Sequence, residues 1–207
     1  AGEILGHAQS AADEPQQVLE AAEQRIFAIA QRRDGARFSS LQELLDHTLK
    51  VIDQSEGKPF TGVPAGFAEF DEMTSGLQKG EMVILAARPS MGKTALALNM
   101  MENVAAAGHP VAMFSLEMGR QQLVQRILCA KGGIDSQRLR RNMLRKEDYR
   151  ALLGACEALQ NCSIWIDDTP GLSLLSMRSK ARRLKEQHGI EAIIIDYLQL
   201  MSSGGRV

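Results

Sequence analysis

Met82-Val83-Ile84-Leu85-Ala86-Ala87-Arg88-Pro89-Ser90-Met91-Gly92-Lys93-Thr94-Ala95-Leu96-Ala97-Leu98-Asn99-Met100-Met101 contains an apolar, β-prone run, a tight loop and a helical segment in direct succession. A strand, a loop closed by Gly-Lys-Thr and a helix are the context in which such a loop holds phosphate. Successive backbone N–H groups at a helix N-terminus point at an anion, and the helix dipole adds partial positive charge there. Gly92 lets the backbone close on phosphates where a Cβ would obstruct it. Lys93 is placed to reach β- and γ-phosphates, and the Thr94 hydroxyl to help hold Mg²⁺. Residues 88–94 (Arg88, Pro89, Ser90, Met91, Gly92, Lys93 and Thr94) are therefore the candidate nucleotide-binding loop. Ala87 stands where the strict pattern has Gly, a position that a small residue with ordinary φ can fill. The competing reading is a chance connection between a buried strand and helix, which the flanking elements disfavour.

The 207 residues fit one domain, or one domain with an appendage. A composition of 44% hydrophobic and 24% charged residues is that of a globular protein. No apolar run approaches the ~20 residues a bilayer span needs, so no membrane association is expected. Cys129, Cys156 and Cys162 are odd in number with no C-x-x-C spacing. A disulfide framework and structural zinc are both disfavoured, and a reducing cytoplasm fits. The net charge of −1 is unevenly spread. Residues 1–119 carry 9 basic and 16 acidic side chains, and residues 120–188 carry 14 basic and 7 acidic. The basic half either faces a polyanion or is a set of solvated helix faces.

Residues 1–12 are too few to bury a core and read as the tail of a missing domain. Asp13-Glu14-Pro15 marks a helix start, and Val18, Ala22, Ile26 and Ile29 recur at helical spacing. Ser40 and Glu43 form a capping box for a second helix lined by Leu41, Leu44, Leu45, Thr48 and Ile52. A short helix is expected around 67–74, ahead of the 82–86 strand and the phosphate loop. Further strands are expected at 111–116, 163–166 and 192–195, separated by helices near 121–131 and 174–188. Four near-continuous apolar strands alternating with helices predict a mostly parallel sheet covered on both faces. Ligands in such sheets bind at the C-terminal strand ends, and Lys93, Glu117, Asp167 and Asp196 all fall there.

Two strands end in aspartate, so Asp167 and Asp196 compete as the acid that holds Mg²⁺. The compact β-branched run Ile193-Ile194-Ile195 favours Asp196, on the character expected of a central strand. Asp167 and Asp168 read as a turn-forming or capping pair. Glu117, at the end of the next strand, is either a carboxylate that deprotonates water or an acid in a helix N-terminal turn. Gln199 is a weaker candidate for sensing phosphate, with local packing or hydrogen bonding favoured. The four histidines share no metal-ligand spacing.

Residues 87–94, then Ser115-Leu116-Glu117-Met118, then Ile195-Asp196-Tyr197-Leu198-Gln199-Leu200-Met201 resemble the ATPase motifs of bacterial replicative DNA helicases of the DnaB family. Thr61-Gly62-Val63-Pro64 and Thr169-Pro170-Gly171 also match that pattern. The resemblance implies a RecA-like P-loop NTPase fold in a ring-shaped hexamer. Such a ring hydrolyses ATP (NTP) between subunits while moving on single-stranded DNA. It assigns Lys93 and Thr94 to nucleotide and Mg²⁺, Glu117 to the catalytic base and Asp196 to the Mg²⁺ shell. It also implies primase and helicase-loader partners and an N-terminal linker helix, residues 14–32, docked on the neighbouring motor domain. The implied organisation is a remnant at 1–12, a linker at 13–38, and a RecA-like core at 39–207 cut after the Asp196 strand. The DNA loops and the arginine finger are expected beyond Val207, which leaves the activity of this piece alone open. A nucleotide-gated assembly or loading module without motor activity, and a RecA- or RadA-type recombinase, are the alternatives.

Overall fold

The computed structural model describes residues 40–55 and 60–202. The expected helix at 14–32, the remnant at 1–12 and the last five residues lie outside that range. The chain divides into two compact units, Ala1–Glu56 and Gly57–Val207. In the first, helix α1 spans Leu41–Ser55. Its start is the expected reciprocal box: Glu43 N–H donates to Ser40 Oγ and Ser40 N–H to Glu43 Oε2, both at 3.2 Å. Each side chain satisfies a backbone donor that the first helical turn leaves unpaired.

The second unit runs α2 (Ala68–Thr74), α3 (Lys93–Ala106), β1 (Val111–Ser115), α4 (Arg120–Gly132), α5 (Ser136–Arg140) and α6 (Lys146–Leu159). It continues with β2 (Ile164–Asp167), α7 (Leu174–His188), β3 (Ala192–Asp196) and a 3₁₀ turn at Leu198–Leu200. The three strands form a parallel sheet in the order β2-β1-β3. All five residues of central β1 are buried, and its side chains alternate between the two faces. Val111 and Met113 pack with Leu98, Met101 and Val104 of α3 and with Leu123 and Ile127 of α4. On the other face Phe114 packs with Leu172 and with Met177 of α7. Helices thus cover both faces of β1, which explains why its sequence is apolar throughout and does not alternate.

One expected strand is not formed. Residues 82–86 lie in no ladder, and Met82, Val83, Ile84 and Leu85 are exposed. Apolar β-prone character describes a surface that fits a sheet, but a strand also needs a neighbour to share its backbone hydrogen bonds, and here it has none among the described residues. The sheet therefore has three strands where the alternation predicts four. Helices α2, α4 and α7 and strands β1, β2 and β3 match their expected positions to within one or two residues.

Two polar anchors hold the elements around α3. Asp71, only 3% exposed, accepts from the N–H groups of Ala65 (2.7 Å) and Gly66 (2.8 Å). That carboxylate fastens the loop at 61–66, whose Gly66 (φ +81°) lies so close to Asn103 of α3 that a Cβ would overlap it. Glu102 of α3, also buried, meets Lys131 of α4 at 2.6 Å. The hydrogen bond and charge of Glu102 raise the Lys131 pKa, as expected for an ammonium facing a carboxylate.

Candidate nucleotide site at the strand ends

The phosphate loop gains its shape from two left-handed residues, Ser90 (φ +66°) and Gly92 (φ +90°). Gly92 is the N-cap of α3, and a Cβ there would meet no atom within 4 Å. Its requirement is therefore conformational, and the space in front of it is open to a ligand. Ala87 has no positive φ, so a small residue does satisfy that position. Met91 N–H closes a turn on Arg88 O at 3.2 Å, and Leu96 N–H reaches Gly92 O at 2.9 Å. The first N–H groups of α3 have no acceptor within the helix, which leaves a cluster of donors facing that space.

Asp196 lies directly behind this loop. Placed at the end of β3 and 3% exposed, it accepts from Lys93 Nζ at 3.0 Å and from Thr94 Oγ1 at 2.7 Å, one side chain on each carboxylate oxygen. The ammonium of Lys93 also lies 4.3 Å from the centre of the Tyr197 ring, a cation–π contact that limits where it can go. A buried carboxylate next to a threonine hydroxyl is a hard oxygen pair of the kind Mg²⁺ takes, with phosphate oxygens and waters filling the other positions. No group of three or more His, Cys, Asp and Glu side chains able to cage a metal occurs among the described residues.

The turn carrying Glu117 joins the same site. In the parallel register Ser115 lies opposite Asp196, and Leu116 N–H donates to Asp196 O at 2.8 Å. Glu117 follows immediately, exposed, with no hydrogen-bond or ion-pair partner for its carboxylate among the described residues. Gln199 is likewise exposed in the 3₁₀ turn and makes no such bond among them, so the local hydrogen bond expected of it is not formed.

Of the two acids at the end of β2, Asp167 forms the expected local turn. It accepts from Thr169 N–H at 2.9 Å and from the Thr169 hydroxyl, and it pairs with Lys180 of α7 at 2.6 Å. Asp168 is the capping member of the pair, on a helix distant in sequence. It accepts from the Arg120 backbone N–H (2.9 Å), Nε (2.8 Å) and Nη2 (2.6 Å), which caps the start of α4 from another strand. Among the described residues neither acid makes a hydrogen bond or ion pair with the phosphate loop. Burial pushes the Asp167 carboxyl up, but the bonds from Lys180 and Thr169 outweigh it and hold its pKa below the ordinary value. The Arg120 side-chain and backbone bonds likewise lower that of Asp168.

These two depressed values set a pH dependence. Their folded pKa values lie below the unfolded value of about 3.9, so ionisation of both acids favours the folded state above that pH. The contribution is lost as pH falls through the folded values. Melting temperature is expected to be flat between about pH 5 and 7 and to fall below about pH 4. Because Arg120 is open to solvent, the fall should be only slightly shallower in Asp168→Asn, as followed by circular dichroism; a steeper acid limb in the variant would contradict the ion pair.

A cavity of about 450 Å³ lies between α3 and α4, lined in part by Leu98, Asn99, Ile127 and Arg140. None of residues 87–94 lines it. Phosphate is held on an exposed loop and needs no enclosed cavity, so the loop and not this cavity is the candidate site.

The chain is similar to known proteins in sequence and in fold. Residues 62–207 match the DnaB-like helicase C-terminal domain. The chain is 46% identical over 197 residues to the replicative DNA helicase DnaC of Bacillus subtilis (strain 168). It is 44% identical over 198 residues to the replicative DNA helicase DnaB of Geobacillus stearothermophilus. In each case 94% of this chain is covered, and it spans 43% of the relative's length. Among solved structures, an ATPase domain superposes with a TM-score of 0.75 at 35% identity, covering 82% of this chain and 61% of that one. A DnaB-like replicative helicase studied for its interactions with primase gives 0.69 at 31% identity, covering 92% and 53%. The motifs, the strand-end site, the RecA-like α/β fold and these likenesses agree: the chain belongs to the DnaB-like helicase C-terminal domain family.

Proposed function

We propose that this chain is the ATP-hydrolysing motor portion of a replicative DNA helicase, working at the subunit interfaces of a hexameric ring that translocates on single-stranded DNA and unwinds duplex. The observation that carries this reading is the convergence on Asp196, whose carboxylate receives Lys93 and Thr94 and whose carbonyl receives the Glu117 turn. In this reading the N–H groups after Gly92 bind the phosphates, with Arg88, Pro89, Ser90 and Met91 shaping the loop. Lys93 moves its charge from Asp196 to the β- and γ-phosphates. Thr94 and Asp196 would hold Mg²⁺, which would neutralise developing phosphate charge. Glu117, exposed and uncommitted, orients water and takes its proton.

The same proposal includes what lies beyond the described residues. The 14–32 helix docks on a neighbouring motor domain, the ring meets primase and a loader, and the protein works in the cytoplasm. No helix among the described residues is long and apolar enough to cross a membrane. An isolated helix of that length is marginal in water, so its apolar face needs a partner. Ile26→Asp is expected to weaken oligomer formation in sedimentation while the melting of the monomer barely changes. A fall in monomer stability with assembly intact would place the helix on its own domain.

The decisive experiment measures phosphate release and unwinding of a forked duplex by the protein. ATP-dependent unwinding is expected. Hydrolysis with strand exchange and no unwinding would indicate a recombinase. Nucleotide-dependent assembly without hydrolysis would indicate a loading module.

A further inference from the structure

We infer that Asp168, acting through Arg120, is a positioning residue for Glu117. The inference rests on Glu117 being the base. A base must come within about 2.6–3.2 Å of the proton it takes, and a misplacement of about 1 Å costs on the order of 10²-fold. Glu117 is exposed, and no described residue holds its carboxylate, so its placement depends on the backbone of the turn 116–119.

That turn is fastened on both sides. On the strand side, buried Ser115 donates its hydroxyl to Met118 O at 2.7 Å and accepts from Met118 N–H at 3.2 Å. On the helix side α4 has no cap of its own: Gly119 at the N-cap has no side chain to offer. Asp168 supplies the missing acceptor from the end of β2, and its carboxylate also suits the positive end of the helix dipole. The Arg120 guanidinium then locks that carboxylate with Nε and Nη2. Beneath it, Asp167 is tied to Lys180 and Thr169, so the base of the latch is itself anchored.

Arg120 is 67% exposed at its side chain. An ion pair so open to solvent contributes little stability. What the pair does provide is a fixed direction for the first residue of α4, three positions from Glu117. It also explains why the start of α4 needs no local capping residue.

The test is steady-state ATP hydrolysis by the assembled protein carrying Asp168→Ala, Arg120→Ala and Glu117→Gln, with amide exchange at Arg120 as a second measurement. Asp168→Ala is expected to lower kcat about tenfold with KM for ATP within about twofold of the parent. It should also expose the Arg120 amide to exchange. Arg120→Ala keeps the backbone bond to Asp168 and should lose only about threefold; its exposed site makes it the variant that folds if Asp168→Ala does not. Asp168→Asn retains one acceptor and should recover part of the loss. The double variant Glu117→Gln/Asp168→Ala should be no slower than Glu117→Gln alone, because the latch acts only through that carboxylate. Parent kcat in both Asp168→Ala and Arg120→Ala, or a loss that adds fully to that of Glu117→Gln, overturns the latch while the base assignment stands. Parent turnover in Glu117→Gln overturns the base assignment and the latch together.

Discussion

Glu117→Gln is expected to lower ATP turnover by about 10²–10⁴-fold, the usual contribution of a general base, while nucleotide affinity stays close to that of the parent. An amide can still hydrogen-bond water but cannot accept its proton. Among the described residues Glu117 makes no hydrogen bond or ion pair with the phosphate loop, so binding has no reason to change. The fold should be unaffected for the same reason: the side chain is exposed and has no hydrogen-bond partner among the described residues. Phosphate release and binding of a fluorescent nucleotide, measured on one preparation, separate the two effects. A variant that hydrolyses at the parent rate leaves Glu117 as a helix-turn acid. Asp167 and Asp168 cannot then simply take over, because Lys180 and Arg120 already hold them.

Lys93→Ala should reduce Mg-nucleotide affinity by about 100-fold or more, since two charge-assisted bonds to phosphate are lost at about 1.5–3 kcal/mol each. A cost to the fold is also expected. Asp196 is 3% exposed and shares its charge with Lys93, whose side chain is 31% exposed. Removal of the ammonium leaves a buried carboxylate with Thr94 alone, a loss of about 1–3 kcal/mol. Affinity measured well below the melting temperature keeps the two consequences apart. Unchanged affinity would remove the phosphate-binding role from the loop.

The candidate site was legible where chemistry is local. Gly92-Lys93-Thr94 next to a helix-forming run states its own geometry, because a glycine N-cap, a cation and a hydroxyl at fixed spacing can serve few other purposes. The preference for Asp196 over Asp167 rests only on β-branched strand character; that both carboxylate oxygens of Asp196 are engaged by the phosphate loop is a contact no propensity could show. Tyr197 under the Lys93 ammonium and Ser115 gripping Met118 had no sequence signal beyond lying beside motif residues.

Sequence by itself determined the order of elements, the ends of the sheet at which the functional side chains collect, and the reciprocal cap of Ser40 and Glu43. Each depends on periodicity, on a strand's fixed direction, or on neighbours three residues apart. Tertiary structure alone decided the strand order β2-β1-β3 and the failure of residues 82–86 to join a ladder. It also decided that Asp168 caps a helix beginning 48 positions earlier. These outcomes depend on which segment lies beside which. Hydrogen bonds between strands, and a carboxylate meeting a distant N–H, are satisfied by proximity in space, and the chain carries no local mark of its distant neighbours.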